Sequence, residues 1–150
     1  MNFKSVDDVL DFAIKGEQDA ARFYKDLAAK LENPGLTDMF ESFAEEENMH
    51  EAKLREVKKG NLMMTEEIKV KDLKISDYSV NVKIEAAMNY QDALLLAMKK
   101  EKASFKLYTI LSQIAKDPEV KKLLKALAVE ESNHKLRFEI EYDEHVLLEN

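Results

Sequence analysis

The chain has 150 residues, 35% charged and 45% apolar, with a formal charge of −7, 3 Gly, 2 Pro and no Cys. That length supports one domain with a sizeable core, and so little Gly and Pro leaves scant material for a turn-rich β sandwich or barrel. No Cys excludes a disulfide framework, a thiolate nucleophile and Cys-ligated zinc or iron, and the negative charge argues against a nucleic-acid partner.

The first residues meet Asp7 and Asp8 before any apolar stretch, so no secretory signal is expected. The longest apolar run, Ala93 to Met98, is too short for a membrane partner, and a cytoplasmic protein is expected. A helix is predicted from Ser5, an N-cap residue with Asp8 three positions on, to about residue 31. A second opens at Asn33-Pro34, a cap residue with proline at the first helical position, where its missing N–H has no intrahelical role. Residues 60–88, rich in Lys, Val, Ile, Asp and Ser, show no clean helical period and form a long crossover. Val70, Leu73, Ile75, Tyr78 and Val80 are its candidate tethers to the rest. The third helix opens at Asn89 with Asp92 three residues on, and the fourth at Asp117-Pro118. A shift of 84 residues lays 5–54 onto 89–138 without a gap, matching Glu17 to Glu101, Tyr24 to Tyr108, Pro34 to Pro118, Glu47 to Glu131 and His50 to His134. The chain, 1–150, is therefore read as one all-α domain: a four-helix bundle of two helical hairpins joined by a long crossover, the connectivity of ferritin-like bundles.

Ionisable residues interrupt the apolar stripe of every helix at matching depth. Glu17 lies between Ile14 and Ala20, Glu47 and His50 between Phe43 and Leu54, Glu101 between Met98 and Phe105, and Glu131 and His134 between Leu127 and Phe138. A lone buried carboxylate costs several kcal/mol, so four converging ones need cations. The central stripe positions carry no Lys or Arg, so internal salt bridges are not the expected remedy; a pair of divalent ions is. Residues three apart lie about 60° apart around a helix, so each Glu-x-x-His can reach one ion. An oxygen-rich shell with one His per ion suits Fe or Mn more than structural Zn, although Zn can occupy it. Glu46 and Glu130 also repeat but sit about 100° off the ligand face, and are read as solvated residues or supports rather than ligands. Tyr24 and Tyr108, two turns from Glu17 and Glu101, are candidates to hydrogen-bond ligand carboxylates. His145 reads as a terminal histidine, and Met39, Met63, Met64, Met88 and Met98 as packing or loop residues.

The stretches Glu17 to Tyr24, Phe43 to His50, Glu101 to Tyr108 and Glu130 to His134 resemble the rubrerythrin branch of the ferritin-like di-iron superfamily. The resemblance implies two Fe ions held by Glu17, Glu47, His50, Glu101, Glu131 and His134, with Glu47 and Glu131 bridging. It further implies reduction of hydrogen peroxide or dioxygen, and a homodimer. Full rubrerythrins carry a cysteine-rich rubredoxin-like domain; a chain with no Cys implies a separate electron-donor protein such as a rubredoxin. Peroxidase members have an extra Glu where this chain has Ser104, which makes the six-ligand set closer to the symmetric ferroxidase centre of bacterioferritins. The leading expectation is a non-haem di-iron oxidoreductase. The alternatives are a ferroxidase or iron-handling protein, and a metal-stabilised binding module without turnover.

Overall fold

Asn33 and Asp117 each turn a side-chain oxygen onto two backbone N–H groups that follow a proline, and each thereby starts a helix. The computed structural model describes residues 5–60, 62–63 and 88–149, and among them every regular element is an α-helix. These are α1 (Val6–Lys30), α2 (Pro34–Lys59), α3 (Tyr90–Ile114) and α4 (Pro118–Glu149). Ser5 caps α1 by accepting from the Asp8 N–H at 3.1 Å, and Asn89 caps α3 by accepting from the Asp92 N–H at 2.7 Å. Each such cap contributes about 1 kcal/mol. Prolines at 34 and 118 disfavour a helical residue before them, so α1 and α3 stop just short of these positions and turn back as hairpins. The crossover expected over 60–88, with its tether residues, falls almost wholly outside the described residues.

The 84-residue repeat is structural. It carries the bounds of α1 onto those of α3, and the start of α2 onto the start of α4. The helices of each hairpin pack along one another, α1 on α2 and α3 on α4, and the two hairpins meet face to face. Between them lie two apolar clusters. One gathers Leu10, Ile14, Leu54, Leu111, Leu124 and Leu127; the other gathers Phe23, Leu27, Phe40, Ala93, Leu94 and Phe138. Within the second, Phe40 and Phe138 stack with ring centroids 5.6 Å apart. The charged layer sits between these clusters, as the interrupted stripes require.

Phe105 departs from the expected stripe of α3: it is 39% exposed, while Leu107 is buried. The buried positions of α3 run through Ala97, Lys100, Leu107 and Leu111, with half-buried Ser104 between, which leaves Phe105 on the flank.

Candidate metal centre

Each helix brings its stripe carboxylate to one level, because the repeat fixes the distance from every cap to every glutamate. Glu17, Glu47, Glu101 and Glu131 are at most 1% exposed, and His50 and His134 at most 4%. Their ligand atoms form two groups, Glu17, Glu47, His50 and Glu131 in one and Glu47, Glu101, Glu131 and His134 in the other, each within 4.8 Å. The six residues singled out by spacing are thus brought together, and Glu47 and Glu131 belong to both groups. His145 is elsewhere, its ring edge-on to Tyr90.

The carboxylate neighbours of the two histidines repeat from one half to the other. His50 Nδ1 lies 2.8 Å from Glu131 and 3.6 Å from Glu17; His134 Nδ1 lies 3.1 Å from Glu47 and 3.7 Å from Glu101. The opposite nitrogen of each ring leaves the centre: His50 Nε2 pairs with Glu130, and His134 Nε2 with Glu46 at 2.6 Å. Glu46 and Glu130, half-exposed at 45%, therefore stand behind the histidines. A carboxylate that accepts the Nε2 proton fixes the ring's tautomer and leaves Nδ1 as a lone-pair donor toward the centre. The tyrosines cross between hairpins: Tyr24 donates to Glu101 and Tyr108 to Glu17. Burial, then the charge of Glu101 beside Tyr24 and of Glu17 beside Tyr108, holds both phenols well above their usual range, so they stay protonated donors.

Burial, followed by the charge of Glu47, raises the Glu17 carboxyl from 4.5 to about 8. Burial also pushes Glu47 upward, but Lys100 and hydrogen bonds with Glu17 and His134 outweigh it and hold Glu47 well below the usual range. Without metal the two carboxyls are therefore driven in opposite directions, Glu17 upward and Glu47 downward. Burial and then the charge of Glu101 raise Glu131 well above its ordinary value. Burial would lower His134, but its contacts with Glu101 and Glu47 raise it from 6.5 to about 10.

Lys100 overturns one expectation. It is 4% exposed, and its Nζ lies 3.0 Å from Glu47, 3.2 Å from Glu131 and 3.9 Å from Glu17. An internal cation therefore does enter the carboxylate layer. Burial alone would lower its pKa, yet Glu131, Glu17 and Glu47 raise it well above 10.5 and keep it charged. The signal was present in the sequence, as position 100 falls on the three-four spacing that runs from Ala97 to Leu111.

Lys100 does not satisfy the whole layer. Glu17 Oε2, Glu101 Oε2, Glu131 Oε1 and His50 Nδ1 are buried without a hydrogen bond, each a deficit of about 1–3 kcal/mol. These orphaned atoms are carboxylate oxygens and an imidazole nitrogen turned inward, the donor set that a first-row divalent ion takes. The residues fit a metal.

Among the described residues no helix is long and apolar enough to cross a membrane. The chain matches, over 93% of its length and 89% of the other's, a hypothetical protein from Pyrococcus furiosus, at 28% identity and a TM-score of 0.73. It also matches a Thermotoga maritima protein assigned as a ferritin-like diiron-carboxylate protein, at 20% identity and a TM-score of 0.71, covering 97% of this chain and 99% of that one. No curated protein matches the sequence. The sequence model of the Rubrerythrin family matches residues 8–142, nearly the whole chain. Four helices, a layer of paired Glu and His, and that match agree: the chain belongs to the Rubrerythrin family and has the ferritin-like four-helix fold.

Proposed function

We propose that this protein is a non-haem di-iron oxidoreductase that reduces hydrogen peroxide or dioxygen with electrons from a separate donor protein, as a rubredoxin could be. The observation that carries the reading is the pair of buried Glu/His groups that share Glu47 and Glu131, since a shared carboxylate is what holds two ions side by side. Glu17 and His50 would complete one ion's shell, and Glu101 and His134 the other's. Two bound iron ions would supply the pair of electrons needed to cleave an O–O bond.

The chain's own residues do the rest. Glu130 and Glu46 hold the imidazoles with Nδ1 inward. Tyr108 and Tyr24 hold Glu17 and Glu101 by one oxygen each and leave Oε2 of each free to face an ion. The apolar clusters on either side keep bulk water from the layer.

The test is metal content of untagged protein followed by anaerobic ferrous titration and addition of peroxide. About two ions per chain, with oxidation by peroxide faster than by air, is the expected result. Tight zinc with no oxidisable iron form would reject the redox reading.

A ferroxidase is the second reading, favoured by one observation. Ser104 is half-buried on α3 where a seventh carboxylate would stand in a peroxidase site, and Ala20 holds the matching place on α1. In that case ferrous iron is the substrate, and oxidised iron leaves the centre over repeated additions instead of remaining at two per chain.

A further inference from the structure

The repeat duplicates all six candidate ligands and the Tyr and Glu side chains that hold them, but not the charge beside the stripe glutamate of the first and third helices. Glu17, Tyr24, Glu46, Glu47 and His50 each have a chemically identical partner 84 residues later, and the contacts they make are duplicated with them. The residue before the stripe glutamate of α3 is Lys100; the residue before the stripe glutamate of α1 is Gly16. An added Cβ at Gly16 would meet nothing within 4 Å. The two halves thus share a ligand set, but among the described residues a single ammonium, that of Lys100, enters the layer, and from one side.

That ammonium is not placed evenly. Its ion pairs are with Glu47, Glu131 and Glu17, which are all three carboxylates of the His50 group. Of the His134 group it pairs with only the two shared carboxylates. A divalent ion entering the His50 half meets a charge of its own sign hydrogen-bonded to Glu47 and Glu131 and 3.9 Å from Glu17, in a layer where burial leaves such charges poorly screened. In the His134 half Glu101 makes no ion pair with Lys100, although its charge also acts on the ammonium.

We propose that Lys100 makes the two metal positions unequal, so that the Glu101–His134 half fills first and more tightly, and the Glu17–His50 half, which the ammonium lies nearer, fills second. The inference rests on the di-metal reading above, but it is a statement about loading order and affinity, separate from any turnover. In chemical terms, Lys100 is a tethered cation that partly neutralises the carboxylate layer and competes with the second ion.

The experiment is an anaerobic titration of the metal-free full chain with Co²⁺, followed by calorimetry and visible absorption. Wild-type protein is expected to bind in two steps whose dissociation constants differ by about tenfold or more. Lys100→Met should close that gap by strengthening the second step, and Lys100→Arg, which keeps the charge, should preserve it. His134→Asn should remove the tight step and His50→Asn the weak one. If Lys100→Met fails to fold by circular dichroism, Gly16→Lys carries the same test: an ammonium at the matching position should weaken the tight step.

Two equal steps in the wild type, a gap unchanged in Lys100→Met, or loss of the tight step in His50→Asn would each overturn the inference while leaving the di-metal reading intact. Absence of Co²⁺ binding in wild type and all variants would reject both together.

Discussion

Tyr108 on α3 donates its phenolic proton to Glu17 on α1, 91 residues earlier, and so ties the two hairpins together inside the charged layer. Tyr24 returns the contact from α1 to Glu101 on α3. Each tyrosine belongs to a different apolar cluster, so each carries the register of its cluster into the carboxylates. Tyr108→Phe keeps the ring and removes the donor, leaving a second Glu17 oxygen unpaired in a buried site. The expected cost to the metal-free protein is about 1–3 kcal/mol in chemical denaturation. Metal affinity should also fall, by about tenfold or more, since Glu17 is no longer aimed. An unchanged denaturation midpoint would show that the contact contributes nothing.

Glu46 and Glu130 permit a cleaner separation of site from fold. Both are 45% exposed, so removing their charge creates no buried defect, yet each fixes the outer nitrogen of a histidine. Glu46→Gln and Glu130→Gln are expected to unfold at nearly the wild-type temperature and to bind metal about 10–100-fold more weakly. If titration gives wild-type affinity for both variants, the histidine tautomers are set by something other than these carboxylates.

The fold was legible because the repeat placed four caps and four stripes in register, and periodicity alone supplied the element order. The six inward residues were legible for a related reason: a Glu or His on an apolar stripe contradicts its neighbours, and the contradiction recurs at the same phase. Lys100 escaped because it lies beside Glu101, which already accounted for a break in the stripe, and its long side chain reaches the layer from the edge of the buried face. Phe105 misled in the opposite direction: its place four residues after Glu101 and three before Tyr108 put it on the stripe, yet it is 39% exposed and Leu107 is buried instead.

The proton inventory of the carboxylate layer gives metal-free protein a stability profile of unusual sign. Glu17, raised from 4.5 to about 8 by burial and by Glu47, keeps a proton in the folded chain that the unfolded chain has released. Its contribution is complete below pH 4.5 and is lost as pH rises through 8. His134, raised from 6.5 to about 10, acts in the same direction over the higher window. Glu47, held low, acts oppositely and only below 4.5. Metal-free protein should therefore lose stability steadily as pH rises from 4.5 to 10. Bound metal replaces those protons, so the stabilisation that metal confers should widen over the same range. Thermal melts with and without metal across that range check both slopes. A metal-free melting temperature that rises with pH would reject the assignment of protons to Glu17 and His134.

Phe138 connects the apolar core to the chemistry. It is fully buried, stacks on Phe40, and lies 5.4 Å from the ring of Tyr24, whose hydroxyl holds Glu101. Phe138→Ala should cost about 3–5 kcal/mol through lost contacts and an incompletely closed cavity. The loss is not confined to packing, because Tyr24 then has space to shift away from Glu101. Metal affinity should fall at the Glu101–His134 half while the Glu17–His50 half, supported by Tyr108 in the other cluster, changes little. Saturating metal at a hundredfold excess over the dissociation constant stabilises a folded protein by about 2.7 kcal/mol per independent site, so metal should restore part of the lost stability. Denaturation of Phe138→Ala with and without metal, beside the same titration of Leu124→Ala in the opposite cluster, distinguishes the two effects. Both variants should be destabilised, and weaker binding at the Glu101–His134 half should appear only in Phe138→Ala. Equal weakening in both would mean that the two clusters do not support separate halves of the centre.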